Sequence, residues 1–80
     1  MSHFVSQMQL LSILAENSRK PCPDVVDSEA IAARLNLSLG KTREIVRCLD
    51  YMGVIQSDLE GRRSLITRKG IHWLERYSLC

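Results

Sequence analysis

The stretch that decides the fold is IAARLNLSLGKTREIVRCLDYMGVI, residues 31–55. Ile31, Ala32 and Leu35 share one helical face, and Asp27 or Ser28 stands where an N-cap is needed, which predicts a helix over 28–35. Asn36 tolerates the left-handed conformation that ends a helix. Leu37 is a lone apolar residue in the turn, placed to fill the gap between two helices. Ser38 can cap the next helix, with Lys41 at its third position. That helix runs to Met52. Ile45, Val46, Leu49 and Met52 form its inner stripe, Thr42 and Cys48 lie at the edges, and Lys41, Arg43, Glu44, Arg47 and Asp50 face outward. Gly53 suits the position after a helix end. Two short helices joined by a tight turn are a helix-turn-helix.

Downstream of Gly53 the apolar period changes from helical to two. Val54–Leu59 alternates, with Ile55, Ser57 and Leu59 on one face. Glu60-Gly61-Arg62 reads as a turn, since Gly61 adopts positive φ at little cost. Arg63–Thr67 returns as a second strand. Thr67 can cap a last helix, 68–78, with Ile71, Leu74 and Ser78 along one edge and Trp73 and Tyr77 along another. Upstream, Phe4, Met8, Leu11 and Ala15 mark a first helix, widened by Leu10, Ile13 and Leu14, with Ser2 as its N-cap. It ends near Ser18, because Pro21 and Pro23 follow. Residues 19–27 form a loop in which Val25–Val26 can make a short β-bridge. The predicted core is Met8, Leu11, Leu14, Ile31, Leu35, Leu37, Ile45, Val46, Leu49, Ile55 and Leu65. The expected fold is mainly α with a small β-hairpin (α+β), one domain over 1–80. Its parts are a helix-turn-helix at 28–52, a hairpin at 54–67 and a C-terminal helix at 68–78.

Eighty residues leave room for one domain with a thin core. Hydrophobic residues at 45% and charged residues at 25% exclude a disordered chain. The only aromatics are Phe4, Tyr51, Trp73 and Tyr77, so the core must be aliphatic. No apolar run approaches the roughly 18 residues of a membrane span, and the first residues lack a basic n-region. A cytoplasmic location is expected. The net charge is +2, and its distribution matters more than its size. Residues 1–37 are net negative, whereas residues 54–80 carry Arg62, Arg63, Arg68, Lys69 and Arg76 against Asp58, Glu60 and Glu75.

Cys22, Cys48 and Cys80 form no Cys-x-x-Cys pair, and neither His3 nor His72 lies at a zinc-ligand spacing from them. Cys48 is expected to be a small core residue, Cys80 a chain end and Cys22 a loop residue, with redox or metal sensing at Cys22, set between two prolines, as the lesser alternative. No cofactor or metal is expected. Nor is an enzyme: there is no nucleophile–base pair, phosphate-binding glycine loop or carboxylate pair at useful spacing. His72, beside Trp73, reads as a helix-surface histidine.

Residues 31–55 resemble the helix-turn-helix and first wing strand of MarR-, ArsR- and PadR-type regulators. Those carry a pattern close to L-A-x-x-L-x-(L/I)-S-x-x-x-(V/T)-x-x-(I/L)-(L/V)-x-x-L-x-x-x-G-(L/V)-(I/V). The return strand GRRSLITRKG, residues 61–70, is similar to their G-R-x-x-x-L-T-x-x-G. The resemblance covers about residues 28–77 and implies a winged helix-turn-helix. It also implies double-stranded DNA as partner and transcription regulation as role. In such a fold the third helix enters the major groove and the wing lies along the backbone or in the minor groove. That places Ser38, Lys41, Thr42, Arg43 and Arg47 of the helix, and Arg62 and Arg63 of the wing, near DNA.

Three residues depart from the pattern. Leu39 and Gly40 stand where such regulators are usually polar and exposed, and Glu44 opposes phosphate. Leu39 can touch a thymine methyl or a protein. A second reading therefore stays open, a winged-helix module that binds protein through the Leu39 face and no DNA. A homodimer is also expected, since two-fold operators suit dimers. Its interface would use the spare apolar residues Phe4, Val5, Trp73, Tyr77 and Leu79.

Overall fold

The computed structural model describes residues 3–21 and 24–78, with side chains over 5–21 and 24–76. The elements are α1 (His3–Ser18), β1 (Val26–Asp27), α2 (Ser28–Leu35), α3 (Leu39–Met52), β2 (Ile55–Ser57), β3 (Arg63–Ile66) and α4 (Arg68–Ser78). Helix α1 ends where the Ser18 hydroxyl donates to the Ala15 carbonyl at 2.7 Å. The Asn17 side-chain amide donates to the Asp24 carbonyl and closes the proline-bearing loop. The expected Ser2 cap lies outside the described residues.

The helix-turn-helix forms as its residues dictate. Asn36 takes φ 57° and ends α2. Ser38 Oγ accepts the Lys41 N–H at 3.1 Å, which satisfies one of the donors left over at the start of α3. Gly53 takes φ 82° and ends α3. Helix α2 starts differently from the expectation. Asp27 has the extended backbone of an N-cap but makes no capping bond with its side chain. Ser28 turns toward the hairpin instead. Its N–H donates to the Arg62 carbonyl at 2.6 Å and its hydroxyl donates to the Gly61 carbonyl.

The sheet is antiparallel, in the order β1-β3-β2. Ile55 pairs with Ile66 and Ser57 with Ser64, while Val26 pairs with Ser64 from the other side. This row faces the core; Gln56 and Leu65 pair on the opposite face. Leu65 is therefore half-buried on the outer side and is not the core residue expected, whereas Ile66 packs inward. Leu59 departs too. Strand β2 stops at Ser57, and Leu59 is fully exposed in the turn.

The core is Leu10, Leu11, Ile13, Leu14, Ile31, Ile45, Val46, Leu49, Val54 and Ile55. Met8, Leu35 and Leu37 cover it from the rim. Leu10 and Ile13 are buried because α1 lies at the centre, against α2, α3, β3 and α4, so its apolar stripe must be wide. Thr42 and Cys48 exchange their expected roles. Thr42 is fully buried on the face of α3 that carries Ile45, Val46 and Leu49, and its hydroxyl donates to the Ser38 carbonyl at 3.0 Å. Cys48 is exposed and accepts from the Gln7 amide at 3.5 Å.

The hairpin base is closed by Thr67. Its N–H donates to the Val54 carbonyl at 3.1 Å, its hydroxyl donates to the Gly53 carbonyl at 2.7 Å, and the same oxygen accepts the Gly70 N–H at 3.1 Å. Thr67 thus caps α4 and clamps the α3–β2 junction. Gly70 sits against that junction so closely that a Cβ would stand 2.0 Å from the Val54 carbonyl oxygen. The glycine of the T-x-x-G pattern is there for close approach. Together these elements make a winged helix-turn-helix.

Candidate nucleic-acid interface

The hairpin tip is a turn with its own polar frame. The Gly61 N–H donates to the Asp58 carbonyl at 3.1 Å, and Gly61 takes φ 70°, so aspartate opens the turn and glycine closes it. Asp58 Oδ1 accepts the Arg62 N–H at 2.7 Å. That bond chiefly holds the Asp58 carboxyl below its ordinary range, helped by the Arg63 and Gly61 N–H groups and the Arg62 charge, against a smaller opposing effect of burial. Arg62 Nε also pairs with Glu60 at 3.2 Å, both side chains being largely exposed.

This tip lies against the N-terminal half of α3. Arg43 donates through Nε and Nη2 to the Glu60 carbonyl at 3.2 and 2.9 Å. A Cβ at Gly61 would lie 3.9 Å from the Arg43 carbonyl oxygen and 4.0 Å from Arg47 Cγ. Arg43, Arg62 and Arg63 line one open cleft of about 380 Å³, together with Asp27, Ser28, Glu29 and Leu39. Two segments far apart in sequence thus bring four arginines into one region.

The candidate residues do not all offer the same thing. Arg47 and Arg63 are exposed, as is Lys41. Arg43 is half-buried, its guanidinium bonded to the wing. The hydroxyl of Ser38 is engaged as a cap. Thr42 has no exposed surface, because its methyl belongs to the α3 inner stripe and its hydroxyl is bonded within the helix. Leu39, at 40% exposure, lines the cleft. The wing tip balances its own charge, with Asp58 and Glu60 beside Arg62 and Arg63.

Sequence reasoning passes over Tyr51. Tyr51, at 94% exposure, continues the outer stripe of α3 through Gly40, Glu44 and Arg47. Its signal is the spacing i, i+4, i+7, i+11, by which Tyr51 extends the outward face already marked by Glu44 and Arg47.

Of the expected dimer residues, Val5 is exposed on α1 and Trp73 is half-buried against the core. The side chains of Phe4 and Tyr77, and all of Leu79, lie outside the described residues, as do Cys22 and Cys80. His72 is exposed on α4. Among the described residues there is no group of three or more metal-ligating side chains, and no helix is long and apolar enough to cross a membrane.

No protein-family model matches the sequence, and no curated protein matches it. The fold is similar to a crystal structure from Ralstonia eutropha JMP134, described as a "putative dna-binding protein". The two agree with a TM-score of 0.72 at 19% identity, over 90% of this chain and 93% of that one. At that identity the likeness speaks for the shared fold.

Proposed function

We propose that this chain binds double-stranded DNA and regulates transcription, with α3 in the major groove and the wing along the backbone or minor groove. The observation that carries the reading is the convergence of Arg43 and Arg47 of α3 with Arg62 and Arg63 of the wing. These are the two elements a winged helix presents to a duplex, and cations on both suit phosphate and guanine. The likeness of residues 31–55 and 61–70 to MarR-, ArsR- and PadR-type regulators supports the same role. The proposal includes a homodimer, which would present two α3 helices to a two-fold site, and it assigns the chain no catalytic step.

The test is binding to random duplex DNA across a salt series. Affinity should fall steeply with salt, with a log–log slope of about 0.9 for each phosphate neutralised. No binding at low salt would refute the reading. Sedimentation with and without a bound duplex tests the dimer, which a 9.1 kDa species in the free sample together with one chain per duplex in the bound sample would exclude.

A second reading rests on Leu39 and Leu59, which stand exposed around a wing tip of balanced charge. In that case the same face binds protein. Leu39→Ala would then abolish partner binding, and the natural chain would bind no duplex at low salt.

A further inference from the structure

The outer stripe of α3 contains a glycine the fold does not need. Gly40 does not take positive φ, and a Cβ there would meet nothing within 4 Å. Helix propensity disfavours glycine at such a position. Its effect is a shallow depression lined by Gly40, Arg43, Glu44 and Arg47, where another surface can approach the backbone.

Two of the lining groups are uncommitted. Arg43 is bonded to the wing. Glu44 and Arg47 are exposed, and neither side chain makes a hydrogen bond or ion pair among the described residues. They lie one turn apart, a carboxylate acceptor beside a guanidinium donor. A carboxylate in the middle of a phosphate-facing surface would weaken binding to every duplex. Set over base edges instead, it has a partner. The cytosine N4 amino group is a donor in the major groove, and guanine O6 and N7 are acceptors. Across a C·G pair the edge therefore runs donor, acceptor, acceptor, which a carboxylate followed by a guanidinium can satisfy.

We infer that Glu44 and Arg47 read the cytosine and the guanine of one C·G pair, brought within reach by the notch at Gly40. This rests on the DNA-binding reading above. Glu44 accepts from cytosine N4, and Arg47 donates to guanine O6 and N7. Glu44, an obstacle to phosphate when read from sequence, is then the residue that sets base preference.

The experiment is selection from random duplexes with the natural chain and with Glu44→Gln, followed by anisotropy titration of the selected duplex and its single-pair variants. Circular dichroism checks that the variant folds. The natural chain should select a C·G pair at one position, and replacing that pair by T·A should weaken binding about tenfold to a hundredfold. Glu44→Gln should lose that discrimination or move it toward adenine, which glutamine reads through N6 and N7. Three results overturn the inference while leaving DNA binding intact. They are an unchanged preference in the variant, an equal gain by the variant on all duplexes, and a natural chain with no base preference. A natural chain that binds no duplex at low salt overturns both readings.

Discussion

The two ends of the wing are held by different physics. At its base, Thr67 and Gly70 meet Gly53 and Val54 in a junction with no slack: three hydrogen bonds on one threonine and a glycine with no room for a methyl. At its tip, buried Ser28 holds the Gly61 and Arg62 carbonyls, but the side chains of Asp58, Glu60 and Arg62 make only exposed polar bonds, each replaceable by water or by a ligand. The base belongs to the fold alone. The tip is ordered enough to be aimed, yet its bonds are cheap to exchange, which is what a binding surface requires.

The largest effects should come from breaking the base. In Gly70→Ala the new methyl meets a backbone carbonyl, which cannot swing aside as a side chain would. We expect a loss of about 3 kcal/mol in denaturant unfolding, of the same order as the roughly 2–5 kcal/mol expected for Leu49→Ala in the core. If Gly70→Ala unfolds like the natural chain, the tight base does not exist.

Replacing both Arg62 and Arg63 by Ala should leave stability within about 0.5 kcal/mol, since an exposed ion pair contributes little. The salt dependence of DNA binding should flatten by about 0.9 in log–log slope for each phosphate no longer neutralised, on all sequences alike. Gly40→Ala reverses the logic of Gly70→Ala. It should stabilise the chain by up to about 1 kcal/mol in thermal unfolding while weakening DNA binding, because the methyl fills the notch. A variant that is both more stable and equally tight would show that nothing approaches Gly40.

The smallest effect is one of pH. Asp58 is held below its ordinary value, so its contribution to the tip is complete above the unfolded value of about 3.9. It is lost as pH falls further, through the lowered folded value. In an NMR titration the Arg62 amide resonance should move in that acid range, while the Thr67 and Gly70 amides stay still. Joint movement would mean that tip and base are not separable.

What sequence reasoning can see divides along similar lines. Local conformations are legible, because Asn36, Gly53 and Gly61 each carry their backbone preference with them, and Ser38 and Thr67 their capping oxygen. Helix α3 follows with both its bounds. The reason for Gly70 is not legible, since the obstructing atom is a carbonyl in a different element. Nor is the Arg43–Glu60 bond, because a backbone acceptor carries no residue-type signal. Thr42 and Cys48 are misassigned when polarity is ranked above position. Threonine can be buried in a helix when its hydroxyl bonds the carbonyl one turn back. Leu59 and Leu65 are misplaced when Asp58, the residue that opens the turn, is counted in the strand. For the candidate interface, sequence names the charged residues but not their commitments, which depend on neighbours across the fold.

Ser28 gives the wing a place in time as well as in space. A hairpin is ordinarily the most local of tertiary units, but alone in water it is marginal. Here two successive carbonyls of its turn are satisfied by a serine 33 residues earlier in the chain. Until α2 has docked, those carbonyls remain bonded to water and the turn has no fixed direction. The direction in which Arg62 and Arg63 are aimed is therefore tied to the seating of α2. In the finished protein, exchange at the Ser28 amide should track opening of the turn. By the same bonds, loosening of α2 would free the direction of the wing turn.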